Sequence, residues 1–219
     1  MIIVNFKLYA GGVLDKAEEL ALICEKVAKT TGLNIGVAVN ILEAERVAKL
    51  VKVPVWLQKV DANAEGRHTG AVSPVLAQKL GITGSLINHS ECPEKLGTIA
   101  SILGIVPVGF KTIVCCKSLG QAERMLKRLK PTYLAFEPPE LIASKGKSIA
   151  TEKLGVLEKI VKMAKEKGVE VIAGAGIKSQ GDIKSVLSVG AMGVILASEV
   201  VVSSSPEERL MDLSRGFGV

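Results

Sequence analysis

Eight short apolar runs rich in β-branched residues punctuate the chain at Ile2 to Lys7, Asn34 to Ala38, Pro54 to Lys59, Gly84 to Asn88, Lys111 to Cys115, Tyr133 to Phe136, Glu170 to Ala173 and Gly193 to Ala197. Between them lie segments with helical spacing, such as Val13, Ala17, Leu20, Ala21, Cys24, Val27 and Ala28, or Leu119, Ala122, Leu126 and Leu129. Apolar strands without alternation imply burial on both faces, and strand-helix alternation implies parallel pairing through right-handed crossovers. Eight such units either close into a barrel or spread as a doubly wound sheet. Their even spacing, with no sign of a second domain, favours an α/β chain whose residues 1–219 form one closed eight-stranded parallel (β/α)8 barrel. The run Ser203-Ser204-Ser205-Pro206 reads as a loop ending in a helix start.

Composition narrows the function classes. Apolar residues make up 48% of the 219, yet never reach the roughly 18 consecutive positions of a membrane span. The start has no charged leader and no small-residue cleavage site, so no signal peptide is read and a cytoplasmic protein is expected. Cys24, Cys92, Cys115 and Cys116 show neither the paired spacing of a zinc site nor the density of a disulfide framework, so free buried thiols and no metal are expected. A net charge of +6 with only 3% aromatic residues lacks the stacking platforms of a nucleic-acid binder, and suits a small anionic substrate better.

In a barrel of this kind the active site lies at the carboxyl ends of the strands, so polar residues there carry the functional signal. Asn5 and Lys7 end the first strand, His89 follows the fourth, and Glu137 follows the sixth. A Gly-rich turn, Gly174-Ala175-Gly176, follows the seventh. Pro138 and Pro139 stiffen the exit after Glu137. A carboxylate drawn out of water at the rim of an apolar core suits a proton acceptor working near neutrality, although a strand-end Glu can also simply face solvent. Ser90 reads as the cap of a helix with Pro93 and Glu94 in its first turns, which would place His89 at a positive helix end as a neutral hydrogen-bond donor. Lys7 could hold a phosphate or offset charge on a substrate oxygen, and His68 reads as a loop residue. Gly146-Lys147-Ser148 and Gly174-Ala175-Gly176 both miss the glycines that nucleotide loops require. Backbone amides at Gly174 to Ile177 and at Ala197 and Ser198 fit the phosphate site that many barrels build after their last two strands.

The segments Asn5-Phe6-Lys7, Asn88-His89-Ser90-Glu91 and Ala135-Phe136-Glu137-Pro138-Pro139-Glu140-Leu141-Ile142, in that order on those strands, resemble the signature segments of the triosephosphate isomerase family in its short archaeal form. The resemblance runs end to end. It implies Glu137 as the base that shuttles protons between substrate carbons, His89 as the neutral electrophile, and Lys7 with Asn5 as substrate-binding groups. Ser90 would hold the Glu137 carboxylate and Glu91 would orient Lys7. A lid from Pro138 to Ser148, including Ile142 and Ala143, would close over a phosphate gripped by Gly174, Ala175, Gly176, Ala197 and Ser198. No cofactor is implied. The substrate would be a small phosphorylated triose of glycolysis and gluconeogenesis, and the assembly a homodimer or homotetramer joined through the loop carrying Thr69 and Gly70. Two departures stand out: Ala143 sits where the family's lid usually has Gly, and Glu199 follows Ser198 where a small residue is usual. A Schiff-base aldolase using Lys7, or a non-catalytic phosphate-binding barrel, would be the competing readings.

Overall fold

The computed structural model describes residues 1–142 and 146–219. Its elements run β1 (Ile2–Asn5), α1 (Asp15–Thr31), β2 (Ile35–Val39), α2 (Ile41–Leu50), β3 (Val55–Leu57), α3 (Pro74–Lys79), β4 (Gly84–Ile87), α4 (Leu96–Ile105), β5 (Lys111–Cys116), α5 (Leu119–Leu126), β6 (Tyr133–Phe136), α6 (Ile149–Glu152), α7 (Leu154–Glu166), β7 (Glu170–Ala173), α8 (Gln180–Ser188), β8 (Gly193–Leu196), α9 (Ser198–Val201) and α10 (Pro206–Ser214). The strands close in chain order, each parallel to the next, with Ile2 of β1 paired to both Ile35 of β2 and Val194 of β8. The expected parallel barrel is therefore the observed one. Among the described residues no helix is long and apolar enough to cross a membrane.

The strands are all but continuously buried, which is why the sequence shows no polar alternation in them. One face of each strand packs on the helices, where residues such as Val4, Leu20, Val37, Leu134, Ile160 and Ile183 form the larger core. The other face points inward. Ile3, Ala38, Trp56, Leu86, Ile113, Cys115, Tyr133, Ala135, Ile172 and Ile195 fill the barrel, with the Trp56 and Tyr133 rings 6.2 Å apart and tilted by 60°. Each fully buried Leu, Ile or Phe contributes about 1.5–3 kcal/mol relative to exposure, so the two cores together drive closure.

Two expectations about element ends do not hold. The first strand stops at Asn5, not Lys7, because Lys7 turns to φ 49°, and the fourth stops at Ile87 because Asn88 turns to φ 61°. The helices number ten among the described residues, with three 3-10 turns, instead of one per strand. Lys153 at φ −136° interrupts the segment after β6 and leaves α6 and α7 as separate helices, and the short α9 intervenes before α10. Pro206 does open α10, as its place after the serine run implies.

Candidate active site

The period-two alternation of a strand decides which residues reach the barrel mouth. Inward residues Ile3, Trp56, Leu86, Ala135, Ile172 and Ile195 are each followed two positions later by Asn5, Gln58, Asn88, Glu137, Gly174 and Ala197. The apolar interior thus changes to polar groups and small residues within one pleat. Three of the four non-glycine residues with positive φ among the described residues, Lys7, Asn88 and Ala175, sit at these same strand ends. Each holds a conformation costing of the order of 1–3 kcal/mol, the kind of strain that accumulates at functional sites.

Glu137 is 4% exposed, and its Oε2 has no hydrogen-bond partner among the described residues. Leaving a buried acceptor unpaired costs about 1–3 kcal/mol, so the fold holds this carboxylate at an expense to stability. Its backbone N–H continues the sheet by donating to the Cys116 carbonyl. Opposite it in register lies Gly174, where a Cβ would stand 2.4 Å from both Cγ and Oε1 of Glu137. Glycine is required there to make room. The Cys115 thiol faces the carboxylate too; burial first, and then the Glu137 charge and hydrogen bond, push its pKa well above the usual thiol value. Burial likewise raises the Cys24 thiol to about 12, and Cys116 is also raised, in keeping with inert buried thiols, whereas Cys92, expected to be buried too, is only partly so.

His89 is 6% exposed, with Nε2 at 3.8 Å from Glu137 Oε2. The Glu91 N–H donates to His89 Nδ1 at 3.2 Å, which assigns the ring proton of the neutral imidazole to Nε2, the nitrogen facing the carboxylate. The expected helix cap at Ser90 is not there. Residues 90–92 form an isolated turn and α4 begins only at Leu96, with Lys95 at its cap position. The reason is that the donors a helix end would leave free are taken locally: Cys92 N–H by the His89 carbonyl, Glu91 N–H by the His89 ring, and Glu94 N–H by Asn88 Oδ1 at 2.8 Å.

Lys7 Nζ pairs with Glu91 Oε1 at 2.5 Å. Asn5 Oδ1 accepts the Lys7 N–H at 3.1 Å, while Gln58 Nε2 donates to the Lys7 carbonyl at 3.0 Å. Those two bonds hold the strained Lys7 backbone in place.

Between β6 and β1 the wall of the mouth is mostly backbone. Gly176, at φ 73°, is crowded by the Lys147 carbonyl, 2.5 Å from where a Cβ would sit, and by Ser148 and the Leu141 carbonyl. Both ends of the segment from Leu141 to Ser148 therefore seat on the turn after β7. Ser148 Oγ also donates to Asp182 Oδ1 at 2.6 Å, and Asp182 Oδ2 accepts from the Lys178 and Ser179 amides at 3.0 Å. Burial pushes the Asp182 carboxyl up, but the Ser148, Lys178 and Ser179 hydrogen bonds outweigh it and hold the pKa below the usual range.

A single cavity is lined by Asn5, Lys7, His89, Glu137, Ile142, Ala175, Gly176, Ala197 and Ser198, joined by Lys178 and Glu199. Of the other expected residues, Gly174 lies against Glu137, Glu91 reaches the site through Lys7, and Ser90 lines another cavity together with Glu137. Ala143 lies outside the described residues. Among the described residues no group of three His, Cys, Asp or Glu could hold a metal ion. Sequence reasoning missed Arg209, which pairs with Glu199 at 2.5 Å, and gave Cys115 and Asp182 no part at the mouth. The strand parity of Ile113 and Cys115 was the available signal for the thiol.

The sequence model of the triosephosphate isomerase family matches residues 1–213. Proteins named triosephosphate isomerase are similar throughout. That of Methanocaldococcus jannaschii is 36% identical over 216 residues, covering 97% of this chain and 98% of its own. That of Archaeoglobus fulgidus is 38% identical, covering 97% and 96%, and that of Pyrobaculum calidifontis 37% identical, covering 98% and 95%. With the closed barrel and the converging strand ends already established, this end-to-end match shows that the chain belongs to the triosephosphate isomerase family of enzymes.

Proposed function

We propose that the chain, as one barrel domain, interconverts dihydroxyacetone phosphate and D-glyceraldehyde 3-phosphate in the cytoplasm, serving glycolysis and gluconeogenesis. Glu137 takes a proton from the hydroxymethyl carbon, the C–H electron pair forms the enediolate double bond as the carbonyl pair moves to its oxygen, the hydroxyl proton passes to that oxygen, and the first proton returns to the neighbouring carbon as the aldehyde C=O forms. His89 donates from Nε2 to the carbonyl oxygen, and the Lys7 cation offsets the charge that builds there. Asn5 and Glu91 orient Lys7, and Ser90 steadies the carboxylate. The phosphate is held by backbone amides of Gly174, Ala175, Gly176, Ala197 and Ser198, with the lid residues Ile142 and Ala143 closing over it and excluding water. The scheme needs no cofactor or metal.

The observation that supports this reading best is the buried Glu137 carboxylate, whose unpartnered Oε2 faces His89 Nε2 across 3.8 Å. A coupled assay of triose phosphate isomerisation tests it. Glu137→Gln keeps the shape but not the base, and kcat should fall by roughly 100-fold or more with the fold intact. A folded variant with wild-type turnover would remove Glu137 from the mechanism.

We also propose a homo-oligomer, dimer or tetramer. The loop from Ala64 to Gly70 is exposed, and its neck is closed by Asp61, which accepts the Val72 N–H at 2.8 Å. Exposed Leu8 and Ile41 line a cleft that also contains Asn5, Lys7 and Gln58, and a partner's loop would cover it. Thr69→Arg should reduce both assembly size and activity. A fully active monomer would show that each barrel positions its own site.

A further inference from the structure

The cavity wall after β8 carries a carboxylate that the scheme above does not use. Glu199 lines the cavity beside Ala197 and Ser198, on the side where the scheme seats the phosphate. Two like charges a few ångströms apart repel even in water, and more strongly beside a partly buried wall. The structure supplies a counter-charge from a different element. Arg209 of α10 donates from Nη2 to Glu199 Oε2 at 2.5 Å, and the same nitrogen donates to the Lys178 carbonyl at 2.6 Å. Its Nη1 stands 3.4 Å from Asp212 Oδ2. Arg209 and Glu199 are each roughly three-quarters buried, with side-chain exposures of 27% and 28%.

The geometry links two turns. Lys178 belongs to the turn that leaves β7 through Gly174, and Glu199 directly follows the corner that leaves β8. One planar guanidinium therefore reaches both turns from behind, a forked task that suits arginine and not lysine. Asp182 in turn fixes the amides of Lys178 and Ser179, so the Lys178 backbone is held on both its N–H and its C=O. We propose that Arg209 is a positioning residue of the phosphate subsite: it neutralises the Glu199 carboxylate and sets the spacing of the turns after β7 and β8. The proposal rests on the phosphate placement given above.

Steady-state kinetics with inorganic phosphate as a competitive probe test it, beginning with the wild type. A wild type without isomerase turnover, or one not competed by phosphate, would overturn the functional reading itself. Given both, Arg209→Met should raise KM and the phosphate Ki about fivefold or more while kcat falls less than about twofold, because an unmasked Glu199 repels the anion. Adding Glu199→Gln to Arg209→Met should return Ki to within about twofold of wild type. An unchanged Ki in the single variant, or a double variant as weak as the single, would overturn the proposal. Should Arg209→Met not fold, Glu199→Gln alone decides, since an amide there keeps the shape. With the charge already masked, Ki should change by less than about threefold, and a larger change in either direction would show that Arg209 does not neutralise Glu199.

Discussion

On the β1, β4 and β6 side of the mouth, Lys7, His89 and Glu137 present polar side chains, each held by only a few specific contacts. On the β7 and β8 side, the turn from Gly174 to Ile177 and the corner at Ala197 and Ser198 present backbone and small side chains, braced from outside by Asp182 and Arg209. Under the proposed scheme the difference follows from what each half would do. Proton transfer needs groups of definite basicity at definite atoms, which only side chains supply. Holding an anion needs several donors aimed at one spot, which a tight turn supplies with little rotamer entropy to lose. One half should therefore be sensitive to the chemistry of its residues, and the other to anything that changes the path of the chain.

Gly174 is where the two halves meet, and its replacement gives the sharpest test. In Gly174→Ala the new Cβ would overlap Glu137 Cγ and Oε1, so the proposed base must move although its chemistry is intact. A displacement of about 1 Å at a reacting group can cost on the order of 100-fold, and kcat should fall on that scale. Unchanged kcat would mean that the backbone half can yield without disturbing the side-chain half. Gly176→Ala should act differently, through KM. Its φ of 73° costs an alanine about 1–2 kcal/mol, and the added atom would push against the Lys147 carbonyl. Seating of the lid should loosen, KM should rise roughly tenfold, and protease cleavage near residues 141–148 should quicken. A variant that loses kcat alone would break the assignment of this turn to binding.

The smallest expected effect concerns Asp182. Its pKa is depressed in the folded protein, so it adds stability above its unfolded value near 3.9, and that stability is lost as pH falls through the lower folded value. Asp182→Asn should lower Tm by a few degrees at pH 7, at roughly 2–4 °C per kcal/mol for a chain of this size. The gap between variant and wild type should shrink below about pH 4. A gap independent of pH would place the effect in packing, not in the carboxylate.

The barrel was legible because its strands are nearly uninterrupted apolar runs, a pattern that few architectures other than a covered parallel sheet accommodate. The convergence of Asn5, Lys7, His89 and Glu137 was legible because all four follow apolar strands, and strand ends share one mouth. Strand limits were not, since Lys7 and Asn88 leave the extended conformation through backbone torsions that residue type does not announce. Ser90 misled because a serine three residues before a proline reads as a helix start. Asn88 and His89 captured the amides that such a start would expose. The partner of Glu199 was hidden for another reason: the ion pair comes from Arg209 on a helix that folds back over the turn, a contact that position along the chain does not announce.

The hollow opposite Glu137 also bears on how such a site could be moved to another protein. The position of the carboxylate depends on an atom that is missing from the adjacent strand, since Phe136 pairs with Ala173 and the next step sets Glu137 against Gly174. A designer who grafted the glutamate alone onto a different barrel would install the functional group without the space it occupies. The transferable unit is a pair, one residue from each of two neighbouring strands, and a scaffold qualifies only if it tolerates losing a side chain where the second one stands.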